Sequence, residues 1–232
     1  MIYAISAKKR CGKDTVANFI TDARPDVKKY ALAEPIKEAL YFGYLMMNAY
    51  RPPSSWDHNV HEQTWTGDGT GVDREASLGI RHDQALEILT NAWHRICDLR
   101  PEFSKHNNNV YEIIEELPEE DWSIRRLMQV FGTDIGVRVD EKIWLKFMFS
   151  VYFDAICDKM SLLITDCRQE HEIEFMRDLG AMVMFVTRDL GDENKDDHIT
   201  ERGLTPVDGD VMIHNDGTLA ELKHKVLTLI GK

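Results

Sequence analysis

Long apolar runs are missing from this chain of 232 residues. None approaches the ~18 residues that a membrane-spanning helix requires, which argues against a helical membrane protein. Cysteine is scarce as well: Cys11, Cys97, Cys157 and Cys167 form no C-x-x-C pair, so neither a disulfide framework nor a zinc ribbon is indicated. The N-terminus already reads as a strand rather than a leader, and with the cysteine pattern this predicts a reducing, cytoplasmic setting. Positive charge is in deficit. With 28 Lys and Arg against 40 Asp and Glu, the formal net charge is −12. That argues against nucleic acid or an anionic membrane as the main partner, because either needs a broad basic surface. Internal repeats are absent. Two metal-site look-alikes fail: His171-Glu172 is followed by Phe175 where a zincin needs its second His, and the acidic loop from Asp192 lacks the Gly and terminal Glu of a calcium loop.

What is present begins at the N-terminus. Residues 2–5 form a short apolar run, and Val16, Phe19 and Ile20 begin an amphipathic helix behind Gly12-Lys13-Asp14-Thr15. Strand, loop and helix in that order are the context of a P-loop, in which backbone N–H groups and the positive end of a helix hold phosphates and a Lys reaches the β- and γ-phosphates. Two positions depart from G-x-x-x-x-G-K-[ST]. Ala7 replaces the first Gly, and Asp14 takes the place of the hydroxyl residue that touches magnesium. Thr15, one residue later, can offer a hydroxyl to a phosphate, and Asp14 can hold the metal, directly or through water. Lys8, Lys9, Arg10 and Lys13 crowd one helix N-terminus and repel one another unless an anion is present. The basic charge is local, so a small anionic ligand is expected. Cys11 is a small loop residue with no assigned role.

Further along, residues 27–32 read as a second strand, and Pro35 suits the first turn of a helix carrying Ile36, Ala39, Leu40 and Tyr44 on one face. Periodicity vanishes from Arg51 to Gly79, where Pro52-Pro53-Ser54-Ser55 and Gly67, Gly69 and Gly71 predict a long irregular loop. A helix is expected over 83–99, a polar break over 100–109, and a short helix over 110–117. Asp121-Trp122-Ser123 can cap the next helix, whose apolar face carries Ile124, Leu127, Met128 and Phe131. Gly132-Thr133-Asp134 is expected to break or bend it. A long helix from Asp140 shows a wide apolar stripe through Ile143, Trp144, Phe147, Met148, Val151 and Tyr152. Strands are predicted over 161–165, 182–186 and 211–213, with helices over 169–179 and 218–230. Strands alternating with helices predict one α/β domain with a mostly parallel sheet of about five strands, in which 50–120 is an insertion. Asp166 and Arg168 follow a strand, at the sheet edge where ligands bind in such folds.

The stretches KRCGKDT, YALAEPIKEAL, DWSIRRLMQVFGTD, ITDCRQEHE, HITERGL and DGDVMIHNDGTLAEL, in order over nearly the whole chain, resemble the deoxynucleoside monophosphate kinase family of T-even bacteriophages. The resemblance implies a three-layer nucleoside-monophosphate-kinase fold, ATP as phosphoryl donor, magnesium, a homodimer and action in the cytoplasm of an infected bacterium. It also implies acceptors restricted to bases such as those of dGMP, dTMP and 5-hydroxymethyl-dCMP. Carried over by residue, it gives Gly12, Lys13, Asp14 and Thr15 to ATP, with Asp14 and Thr15 also toward magnesium, and places Lys9 and Arg10 between donor and acceptor phosphates. Lys37, Arg74, Arg125, Arg126, Gln129, Asp134, Trp144, Asp166, Arg168, Gln169 and Glu170 then line the monophosphate pocket, with Trp144 as a candidate for stacking on the base. Lys13, Arg10, Arg125, Arg126, Asp166 and Arg168 carry the catalytic charge. Arg188 and the turn Asn215-Asp216-Gly217 lie toward the adenine.

Phosphoryl transfer is catalysed chiefly by positioning and by neutralising charge, which demands several Arg and Lys groups around two converging phosphates. A monophosphate acceptor has a second pKa near ~6, so its attacking oxygen is already deprotonated at neutral pH and needs no base. A hydroxyl acceptor needs one, and Asp166 can serve; a dephospho-coenzyme A kinase is therefore the alternative reading. A P-loop ATPase switch is a third, but it needs a positioned water and no cluster of acceptor-side arginines.

Overall fold

The apolar runs expected as strands pair into one sheet. The computed structural model describes residues 1–49, 62–66, 73–189 and 204–231. Among these, β1 (Ile2–Ala7), β2 (Val27–Tyr30), β3 (Ser161–Ile164), β4 (Met182–Thr187) and β5 (Val211–His214) lie in the order β2-β3-β1-β4-β5, and every neighbouring pair is parallel. The helices are α1 (Lys13–Ala23), α2 (Glu34–Ala49), α3 (Glu62–Thr66), α4 (His82–Leu99), α5 (Asn107–Glu115), α6 (Ile124–Gln129), α7 (Ile143–Cys157), α8 (Glu170–Asp178) and α9 (Leu219–Leu229). Most of the irregular loop read between Arg51 and Gly79, the acidic loop after Asp189 and most of HITERGL lie outside the described residues.

The chain divides into two compact units, one made of Met1–Leu32 with Leu145–Lys232 and one continuous over Ala33–Trp144. The first holds the sheet. Its central strands are apolar on both faces, as a parallel sheet covered on both sides requires. One face sends Tyr3, Ile5, Leu163, Met184, Val186 and Ile213 against Val16 and Ile20 of α1 and Leu222 and Val226 of α9. The other sends Ala4, Leu162, Ile164, Val183 and Phe185 against Met148 of α7 and Ile173 and Met176 of α8. The three layers follow directly from this alternation, and each fully buried Ile or Leu contributes about 2 kcal/mol. Gly180, at φ 71°, ends α8; its N–H donates to Arg177 O and the next N–H, of Ala181, to Met176 O.

The second unit is helical. In it α2 packs on α4, with Arg95 paired to Glu38 at 2.7 Å at the rim. Two sequence expectations are corrected. Residues 100–109 are no break: a 3-10 turn over Pro101–His106 runs straight into α5, pinned by Phe103, which is fully buried. Gly132-Thr133-Asp134 is no break either. The chain leaves α6 as a π-helix over Val130–Val137, so the element widens and stays helical. Its carbonyl at buried Gly132 accepts the indole N–H of Trp144 at 2.8 Å.

Candidate active site

Because β1 lies between β3 and β4, the carboxyl ends of the strands stand side by side in the first unit, and the loops leaving them carry the predicted residues. The loop between β1 and α1 is the most constrained. Ala7 ends β1 and is not among the residues with positive φ, so the missing first Gly costs no strain. The left-handed positions fall instead on Arg10 (φ 64°) and Gly12 (φ 96°, ψ 21°). Left-handed backbone costs an L-residue such as Arg10 about 1–2 kcal/mol, a strain that collects at functional turns. Gly12 is the N-cap of α1 and no side chain accepts the first N–H groups of that helix. Those donors are the ones an anion uses at a helix N-terminus. Lys8 and Arg10 are exposed, Lys9 is half-buried, and the Lys13 ammonium pairs with Asp14 at 2.6 Å, a contact for which a phosphate can compete.

Beyond β3, Asp166 and Gln169 are buried and Arg168 is half-buried. The Asp166 carboxylate accepts the Leu32 N–H at 2.6 Å, and the Cys167 N–H reaches Ile5 O at 3.1 Å, tying this turn to β1. Glu172, which the sequence reading met only in the rejected zincin look-alike, holds the turn from below: one carboxylate oxygen accepts the N–H groups of Arg168 at 2.7 Å and Gln169 at 3.0 Å. Burial pushes its pKa up to about 7, against the pull of those two N–H groups and with the help of nearby Asp166. The only sequence trace of it was the Glu three residues after Gln169, a capping pattern without the usual Ser or Thr at its head. Glu170 is exposed and lies 4.0 Å from Arg177.

The ends of β4 and β5 are joined. Asn215 N donates to Thr187 O at 2.8 Å, Asp216 accepts the Asp189 N–H at 2.9 Å, and the amide of Asn215 donates to Cys11 O at 2.9 Å. Asn215 therefore touches the P-loop itself. Arg188 and Gly217 are exposed beside it.

In the second unit, a separate group of predicted residues converges. The Arg125 N–H bonds Arg74 O at 2.9 Å, and an isolated bridge joins Ser77 to Ser123, so the strand-like segment near Arg74 lies along the start of α6. Ser123 caps that helix by accepting the Arg126 N–H at 3.1 Å. The Arg126 guanidinium is held by both oxygens of Glu120, at 2.9 and 3.0 Å, and sits 3.6 Å from Asp134 on the π-helix. Arg125 lies 3.8 Å from Glu75, and Arg74 donates to Trp65 O at 3.2 Å. Lys37, on α2, and Gln129, at the end of α6, are half-buried. Trp144 is 3% exposed with its N–H spent on Gly132 O, so in this conformation it is a packing wedge rather than an open stacking face. Neither Glu120 nor Trp65 was marked by any motif.

A parallel sheet with a Gly-Lys loop leading into an uncapped helix defines a P-loop kinase-like protein. The comparisons narrow the class. The sequence pattern of the deoxynucleotide monophosphate kinases matches residues 1–226. The chain is 35% identical over 240 residues to the deoxynucleotide monophosphate kinase of Escherichia phage RB69, with 96% of each covered. It is 34% identical over 238 residues to that of Enterobacteria phage T4, covering 96% of this chain and 95% of the relative. This chain belongs to the deoxynucleotide monophosphate kinase family.

Proposed function

We propose that the chain transfers the γ-phosphoryl group of ATP to deoxynucleoside monophosphates, giving deoxynucleoside diphosphates and ADP. The single observation that carries the reading is the loop before α1, with its left-handed Gly12, uncapped helix N-terminus and Lys13. Lys13 and the loop N–H groups would take the ATP phosphates, while Lys9 and Arg10 would serve the phosphoryl in transit. Arg74, Arg125 and Arg126, with Lys37, Gln129 and Asp134, would bind the acceptor, together with Asp166, Arg168, Gln169 and Glu170. A monophosphate needs no base, so Asp166 is an orienting group here. Arg188 and Gly217 would border the adenine side, where the family resemblance also puts Asn215. The relatives' names favour this over a dephospho-coenzyme A kinase, and the arginine group of the second unit favours it over an ATPase switch.

Magnesium suits these residues. Among the described residues no group of three or more His, Cys, Asp or Glu could hold a metal. Magnesium does not ask for one, since it keeps waters and takes one or two protein oxygens beside the phosphates. The exposed Asp14 carboxylate and the Thr15 hydroxyl would supply those oxygens, and the ion would neutralise charge on the phosphates. The whole chain is read as one kinase domain in which 50–120 is an insertion contributing to the monophosphate region. The acceptors expected are dGMP, dTMP and 5-hydroxymethyl-dCMP, and the setting is the cytoplasm of an infected bacterium.

A homodimer is part of this reading. Phe149, Phe153 and Ile156 of α7, at spacing i, i+4, i+7, are 39, 67 and 51% exposed. Apolar faces of this kind on soluble proteins commonly mark a contact surface.

The test is ADP release from ATP and magnesium with a panel of deoxy- and ribonucleoside monophosphates, 5-hydroxymethyl-dCMP and dephospho-coenzyme A. Release that depends on a deoxynucleotide is expected; brisk ATP hydrolysis without any acceptor, or activity with dephospho-coenzyme A alone, would overturn the proposal.

A further inference from the structure

Asn215 sits 204 positions from Cys11 in sequence, yet its side-chain amide donates to the Cys11 carbonyl at 2.9 Å. The contact is built from both sides. On one side, the Asn215 backbone is fixed by its bond to Thr187 O, the neighbouring His214 carbonyl accepts from the Lys225 ammonium at 2.9 Å, and the His214 ring is 2.9 Å from the Thr187 hydroxyl. On the other, Gly12 comes so close that a Cβ there would lie 2.5 Å from the Asn215 amide nitrogen. Gly12 is thus required twice, by its left-handed φ and by this approach.

In a planar trans peptide the C=O of Cys11 and the N–H of Gly12 point in opposite directions. Fastening the carbonyl to Asn215 therefore turns the Gly12 N–H away from Asn215 and holds it there. The bonds that flank this peptide are ψ of Cys11 and φ of Gly12, and Gly12, left-handed at φ 96°, is the residue most able to take another φ, so the Asn215 bond is what fixes the peptide's orientation.

We propose that Asn215 is a positioning residue of the phosphate loop: it acts on the donor triphosphate through the Cys11–Gly12 peptide and not by contact with the adenine. The inference rests on the reading of the loop as the ATP site. It gives Asn215 a different role from the adenine-side contact that the family resemblance implies.

The experiment compares ATP with inorganic tripolyphosphate, which carries the phosphates and no base. Binding of each is measured by calorimetry on the full chain, for the wild type and for Asn215→Leu, which keeps a similar shape, loses the donor and adds no charge, with Asn215→Ala as the second variant if the first does not fold. Circular dichroism and thermal melting establish that the variants are folded. The expected result is that ATP and tripolyphosphate weaken by the same factor, about tenfold, the scale of one lost hydrogen bond at a constrained site. In turnover, KM for ATP should rise while KM for the monophosphate stays within about twofold. Loss of ATP affinity with tripolyphosphate unaffected would make Asn215 an adenine contact and overturn the proposal, as would unchanged binding of both. A wild type that binds neither ligand would instead remove the phosphate-loop reading on which the proposal stands.

Discussion

At the scale of single residues, Lys13 and Glu172 show two different uses of charge. The Lys13 side chain is 23% exposed and its contact is with neighbouring Asp14, so the fold does not depend on it. Lys13→Ala should lower turnover by about 10²–10³-fold, the range for loss of one group that stabilises transition-state charge, with an unchanged melting curve. A folded variant with near-normal ADP release would remove Lys13 from the chemistry. Glu172 is the opposite case, a carboxyl that burial holds near pKa 7 against an ordinary 4.5. A raised pKa means the folded state binds the extra proton more tightly than the unfolded state. The stabilisation from this group is therefore complete below about pH 4.5 and is lost as pH rises through about 7, amounting to at most roughly 3 kcal/mol. Glu172→Gln should flatten that fall: the melting temperature of the variant should gain on the wild type between pH 5 and 8. Parallel stability profiles over that range would show that Glu172 does not titrate there.

Among the elements, the π-helix repays the closest reading, because the sequence pattern pointed the wrong way. Gly132-Thr133-Asp134 read as a break or bend, whereas here Gly132 and, four residues on, Gly136 admit large side chains. A Cβ on Gly136 would lie 2.5 Å from Cζ2 of Trp144 and 3.0 Å from its Cε2. Gly136→Ala should thus cost about 1–3 kcal/mol, the scale of overpacking, and a double variant with Trp144→Phe should recover part of it. Chemical denaturation of the three variants measures both terms; a neutral Gly136→Ala would mean the wedge has room to move. What was legible follows the same logic. Strands buried on both faces announce themselves as continuous apolar runs, and the P-loop carries its meaning within eight residues. Glu120 and the Asn215 contact were not legible, because each acts on a partner whose proximity depends on the folded chain, and a lone acid or amide in sequence carries no sign of where it points; Glu172 is a local cap, masked because Gln rather than Ser or Thr heads its pattern. The 3-10 turn at Pro101–His106 was hidden for a simpler reason: one buried Phe in a polar stretch shows no period.

For the molecule as a whole, the apolar face of α7 predicts self-association. Phe153→Glu should shift a dimer to a monomer in sedimentation velocity while leaving the circular dichroism spectrum intact; a monomeric wild type, or a variant that still dimerises, would show that α7 does not form the contact. The sheet order has a further consequence, and it concerns synthesis rather than catalysis. β1 leaves the ribosome first, but its two neighbours are β3 and β4, whose residues come more than 150 positions later. At about 5–20 residues per second, the central strand waits on the order of ten seconds or more without a neighbouring strand. The continuous Ala33–Trp144 segment emerges during that interval. A growing chain of this architecture thus has reason to be held by a chaperone at its N-terminal end, and synthesis that stops before β3 leaves a product whose first strand has nowhere to go.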